Sequence, residues 1–136
     1  MVKSKTIYLT DDDSDDRMLL IDAIKSIDPG IVIIEAEGGK ELLDILQSEV
    51  PDQQSLVILD VNMPKMNGLE TLARLRCIPH LAWLPTVMLS TSSNSELKET
   101  AKRLGALNYF QKPTQLTDLL NLAHQLISVI SGTMQI

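Results

Sequence analysis

Five short apolar runs, each followed by a stretch of helical periodicity, set the narrowest limit on how this chain can fold. The runs are "TIYLT" (6–10), "IVIIEA" (31–36), "LVILDV" (56–61), "PTVMLS" (85–90) and "ALNYFQ" (106–111). "IVII" and "LVIL" are continuous rather than alternating, the pattern of strands covered on both faces. After each run, apolar residues recur at three- and four-residue spacings: Leu20, Ile24 and Ile27; Leu42, Leu43 and Leu46; Leu69, Leu72 and Leu75; Leu97, Ala101 and Leu104; Leu116, Leu119, Leu120, Ala123 and Ile127. "DPG" (28–30) closes the first helix and "EGG" (37–39) separates the second strand from its helix. Pro79 and Pro85 bracket the loop after the third helix, and Gly105 takes the C-terminal position of the fourth. The order βαβαβαβαβα over 136 residues predicts one domain, a parallel sheet with helices on both faces and right-handed crossovers.

That topology says where to look for chemistry. Open parallel sheets bind ligands beyond the carboxyl ends of their strands. The residues there are Asp11 and Asp12 after the first strand, Asp60 and Asn62 after the third, Ser90 and Thr91 after the fourth, and Lys112 after the fifth. Three carboxylates converging at one edge repel one another unless a divalent cation or a proton intervenes. Hard oxygen donors suit Mg²⁺, which keeps part of its water shell. A lysine beside them offers a point charge to an anionic group, and a serine hydroxyl offers a donor to an oxyanion. No Ser-His-Asp or Cys-His arrangement competes, since His80 and His124 lie away from the strand ends. Phosphoryl transfer to a carboxylate, driven by positioning and charge neutralisation, is the chemistry these groups fit.

The segments "DDDSDD", "LVILDVNMPKMNGLETLARLR", "PTVMLSTSS" and "GALNYFQKP" follow in that order, and with them the chain resembles bacterial response-regulator receiver domains of the chemotaxis-regulator type, over residues 5–130. The resemblance implies a flavodoxin-like, doubly wound (βα)5 fold with strand order 2-1-3-4-5. It implies that Asp60 is the phosphoacceptor, taking a phosphoryl group from the phosphohistidine of a sensor histidine kinase or phosphotransfer protein. Asp12 directly, Asp11 partly through water, Asp60, and the backbone carbonyl of Asn62 would hold Mg²⁺. Lys112 would pair with Asp60 and then with the phosphoryl oxygens. Ser90 would bind a phosphoryl oxygen on switching, and Tyr109 would be the aromatic coupled to that movement. The bond from Lys112 to Pro113 is expected to be cis. Thr91 stands where a smaller residue is common and narrows access to the acyl phosphate. Asn62 and Ser92 are expected neither to block nor to assist self-hydrolysis.

Composition narrows the setting. A net charge of −6 without a basic stripe disfavours direct nucleic-acid binding. No apolar stretch is long enough for a membrane span, and Lys3 and Lys5 precede no signal-peptide core. The single cysteine, Cys77, is expected to pack on its helix, and the reduced cytoplasm is the expected location. The last helical pattern, 115–130, leaves only "SGTMQI", so residues 1–136 are expected to form a single receiver domain without an output domain. Output would then be a protein contact, with a downstream partner or a second copy on the face of the fourth helix, fifth strand and fifth helix.

Rival readings are a pseudo-receiver that binds proteins without phosphorylation, and a hydrolase of external phosphate esters. The hydrolase reading is weakened because Asn62 occupies the position where such enzymes place a second aspartate. A flavin-binding protein is opposed by the acidic run itself. Within that run Asp13, or alternatively Ser14, is expected to cap the following helix, with Asp16 returning the bond to Asp13 in a capping box and Asp15 in the first turn.

Overall fold

Alternate side chains of a strand face opposite sides of its sheet, and in this chain each of the two apolar sets meets its own layer of helices. The computed structural model describes residues 4–132. Its elements are β1 (Thr6–Thr10), α1 (Ser14–Ile27), β2 (Val32–Ala36), α2 (Gly39–Ser48), β3 (Ser55–Asp60), α3 (Gly68–Arg76), β4 (Thr86–Ser90), α4 (Ser95–Arg103), β5 (Asn108–Gln111) and α5 (Leu116–Ser131). All strand pairs are parallel, in the order β2-β1-β3-β4-β5. Among the described residues no helix is long and apolar enough to cross a membrane. The tail "SGTMQI" lies mostly outside the described residues.

Tyr8, Val57, Leu59 and Met88 pack with Leu42 and Leu46 of α2, Leu72 and Leu75 of α3, and Ala101 of α4. Their strand neighbours Ile7, Leu9, Leu56, Ile58, Val87 and Leu89 pack with Leu20, Ala23 and Ile24 of α1 and with Leu122, Ala123 and Leu126 of α5. The central strands β3 and β4 are buried along their whole length, which is why their sequences read as continuous apolar runs. Each fully buried aliphatic side chain contributes about 1.5–3 kcal/mol, so the two layers hold the strand tips rigidly.

Three boundaries differ from expectation. The Ile31 N–H bonds Asp28 O inside the turn after α1, and the ladder begins with Val32 bonded to Lys5 O. Ala106 N–H returns to Ala101 O and closes α4, so β5 starts at Asn108. Helix α3 ends at Arg76, which leaves Cys77 exposed at the cap rather than packed on the helix.

Candidate functional site

Asp11 and Asp60 continue the alternation of Leu9 and Ile58, so their carboxylates emerge on the α1–α5 side at the carboxyl edge of the sheet. They are 2% and 3% exposed, whereas Asp12 is open to solvent. Oxygens of Asp11, Asp12 and Asp60 all lie within 4.8 Å of one another. Lys112, one residue beyond β5, brings its Nζ to 2.8 Å from Asp11 Oδ2 and 3.4 Å from Asp60 Oδ2. Asp60 Oδ1 accepts from the Asn62 N–H at 3.2 Å, and Asp11 Oδ1 accepts from the Asp13 N–H at 2.9 Å.

The electrostatics follow from this crowding. Burial, and then the charge of Asp11, push the Asp60 carboxyl up to about 7, against the opposing pull of Lys112 and the Asn62 N–H. Burial alone would lower the Lys112 ammonium, but its bonds to Asp11 and Asp16 outweigh this and hold it above the usual lysine range. The clustered carboxylates of Asp11, Asp12 and Asp60 are incompletely balanced by the one ammonium beside them, and the repulsion that helps raise Asp60 is the repulsion a bound divalent cation would remove. The donor set fits such an ion.

Backbone packing sets the position of Asp60. A Cβ on Gly68, at the start of α3, would lie 2.3 Å from Asp60 O and 2.9 Å from Val61 Cα. Only a glycine lets α3 approach this closely, and the Gly68 N–H bonds Val61 O at 3.0 Å. The "MPKMNG" loop therefore acts on the backbone, with Asn67 and Glu70 closing a capping box at its end.

Ser90 and Tyr109 face the other way, toward the α3–α4 layer. Ser90 is fully buried, and its Oγ accepts from the Ser92 N–H at 3.0 Å. The Tyr109 hydroxyl donates to Ser92 O at 3.2 Å, so the loop after β4 links the two side chains. Thr91 is exposed at the rim, where its hydroxyl accepts from Asn62 Nδ2 at 3.4 Å and ties the loops after β3 and β4 together.

Two expectations are corrected. The Lys112–Pro113 bond is trans, since no cis peptide bond occurs among the described residues; trans is the lower-energy isomer by about 0.5–1 kcal/mol, and Lys112 reaches the carboxylates with it. Asp13 does cap α1, accepting from Asp15 N and Asp16 N, but the capping box does not close. The Asp16 carboxylate turns instead to Lys112 Nζ at 2.9 Å.

The sequence reading missed Asp16 as a member of the site, and Arg17 beside it. Asp16 stands four residues before Leu20 and seven before Ala23, on the helical stripe that packs inward, and an aspartate on such a stripe is a readable signal. Arg17 is buried; it donates to the Asp11 carbonyl and to Glu35 Oε1 at 2.9 Å, fixing the backbone that carries Asp11. Its partner lies on the neighbouring strand, beyond the reach of local patterning.

The response regulator receiver domain family matches residues 7–124. A protein of Leptolyngbya boryana, described as an uncharacterized 14.6 kDa protein in the sodA1 3′ region, is 34% identical over 88% of this chain and 87% of its own length. Other relatives are longer: the chain spans 33% of a protein-glutamate methylesterase/protein-glutamine glutaminase of Desulfotalea psychrophila and 51% of the nitrate/nitrite response regulator NarL of Escherichia coli. Among solved structures, the Mn²⁺-bound form of response regulator Rcp1 superposes with a TM-score of 0.82 at 28% identity, covering 97% of this chain and 98% of that one. The phosphorylated cyanobacterial phytochrome response regulator RcpA gives 0.87 at 25% identity, with 98% of each chain covered. By its sequence match, strand order and clustered strand-tip acids, the chain belongs to the response regulator receiver domains.

Proposed function

We propose that the chain is the phosphorylatable receiver of a two-component system, working in the cytoplasm, and that Asp60 is its phosphoacceptor. An Asp60 carboxylate oxygen attacks the phosphorus of a phosphohistidine on a sensor kinase or phosphotransfer protein. The O–P bond forms, the P–N bond breaks, and the leaving imidazole takes up a proton. Mg²⁺ held by Asp11, Asp12 and Asp60, with the Asn62 backbone carbonyl, would neutralise charge on the transferring group. Lys112 offers its ammonium to the phosphoryl oxygens. Ser90 Oγ supplies a further donor once the loop after β4 closes, and Thr91 narrows the entrance. The observation that carries this reading is a buried carboxylate, raised to about 7, set 3.4 Å from a lysine ammonium inside an acidic cluster.

Output follows from the Ser90–Ser92–Tyr109 connection. Phosphorylation adds roughly −1.5 to −2 charge, and movement of Ser90 toward it pulls on the loop that Tyr109 holds. The α4–β5–α5 face carries exposed Glu96, Lys98, Glu99, Lys102, Arg103 and Gln115; a downstream protein or a second copy docks there. The chain's only turnover is its own phosphorylation and dephosphorylation. Intact-mass measurement with a small phosphodonor tests the assignment: a gain of one phosphoryl group that requires Mg²⁺ and is absent in Asp60→Asn supports it. An equal gain in Asp60→Asn refutes it, and no gain in the parent favours a receiver that acts by protein contact alone.

A further inference from the structure

Lys112 has one carboxylate partner to which the chemistry above gives no part. Its Nζ lies 2.8 Å from Asp11 Oδ2 and 2.9 Å from Asp16 Oδ2, but 3.4 Å from Asp60 Oδ2. An ammonium has three donors and no acceptor. Two of them are committed to Asp11 and Asp16 at the short distances of charge-assisted bonds, and Asp60 is approached from further out. The contact with Asp16 joins residues 96 apart in sequence, linking the first turn of α1 to the segment after β5.

We propose that Asp16 is a positioning residue for phosphoryl transfer: it anchors Lys112 so that the remaining ammonium donor points at the phosphoryl group arriving on Asp60. This rests on Asp60 being the acceptor. Lysine carries its charge on a flexible four-carbon stem, and a single anchor leaves that charge free to swing. Asp11 is a poorer lasting anchor, because its carboxylate belongs to the acidic cluster and would be shared with any cation held there. Asp16 stands outside that cluster and keeps its hold when the cation binds. It is also rigidly supported: Asp13 caps the helix in front of it, and Leu20, Ala23 and Ile24 pack the same helix against the sheet. A side chain on a packed helix places its partner more tightly than one on a loop does.

A purely electrostatic role predicts the opposite sign. If Asp16 acted only through its negative charge, removing it would draw anionic donors in and speed phosphorylation. If it acts as an anchor, removing it slows the step, because the ammonium must be ordered anew in each transfer.

The experiment follows phosphorylation of the full chain by acetyl phosphate and Mg²⁺, by mass, in the parent, Asp16→Ala, Asp16→Asn, Asp16→Glu, Lys112→Ala and the Asp16→Ala/Lys112→Ala pair. The anchor predicts that Asp16→Ala slows the reaction by about tenfold, the worth of one hydrogen bond to a charged group. Asp16→Glu recovers most of the rate, and Asp16→Ala costs nothing further once Lys112 is alanine. The ¹⁵N resonance of the Lys112 ammonium, read without any donor, should be sharp and slowly exchanging in the parent and lost in Asp16→Ala; Asp16→Asn, whose amide oxygen still accepts but carries no charge, should fall between them. A parent-like or faster rate in Asp16→Ala, the same loss in the Lys112→Ala background, or an unchanged ammonium resonance overturns the proposal. A parent that takes up no phosphoryl group overturns it together with the reading of Asp60, whereas a phosphorylated parent with an indifferent Asp16 overturns the proposal alone.

Discussion

Asp60 carries two demands that oppose each other: burial, which disfavours its charge, and nucleophilicity, which requires it. Burial and then the charge of Asp11 push its carboxyl up to about 7, above the ordinary 3.8. A carboxyl whose folded pKa is raised favours the fold most below its unfolded pKa, and that contribution is lost as pH rises through the folded value. Asp60→Asn, which mimics the protonated form, should therefore be more stable than the parent at pH 8 without divalent cations, by on the order of 2 kcal/mol. The advantage should shrink toward pH 4, and urea unfolding at several pH values measures it. Gly68 is the second residue on which the site depends. Its replacement by alanine sets a Cβ 2.3 Å from Asp60 O, and the clash is with backbone rather than a flexible side-chain end. Gly68→Ala should cost about 1–3 kcal/mol in the same assay and displace the acceptor, so phosphoryl uptake should fall with stability.

At the scale of elements, α1 divides the acidic run among distinct tasks. Asp11 and Asp12 belong to the strand tip, Asp13 caps the helix, and Asp16 reaches Lys112. Asp13→Ala should lower stability by about 1 kcal/mol, the usual worth of an N-cap, whereas Asp15→Ala should cost only the smaller dipole contribution of a first-turn acid; thermal unfolding of the two variants compares them. Strand-tip residues were legible because parallel alternation forces every strand's carboxyl end to one edge, and "LVILDV" names its own end. The Asp16–Lys112 pair was not, because local rules offer Asp16 a nearer partner in the capping box. An ion pair across 96 residues depends on how α1 and the segment after β5 meet in space. The expected cis bond before Pro113 was carried by resemblance alone, and this backbone delivers Lys112 in trans.

For the whole molecule, two apolar layers hold five strand tips so that charges otherwise kept apart are forced together. The fold was readable almost to the residue where strands are buried on both faces, as in β3 and β4. It was less so at the ends of β2 and β5, where turn hydrogen bonds take residues that look apolar enough for the ladder. Trp83, in the loop before β4 and 47% exposed, lies at the sheet edge opposite Asp60. Its fluorescence should change little when Mg²⁺ or a phosphodonor is added, and a large change would reveal motion across the full length of the sheet. The central claim is that the force of this arrangement is directed at one carboxylate. Its most direct test is borohydride reduction of the protein after Mg²⁺-dependent phosphorylation, followed by peptide mapping. Reduction converts an aspartyl phosphate to homoserine, and the account predicts homoserine at position 60 alone. Homoserine at Asp11 or Asp12, or none in a protein that has gained phosphoryl mass, would contradict it.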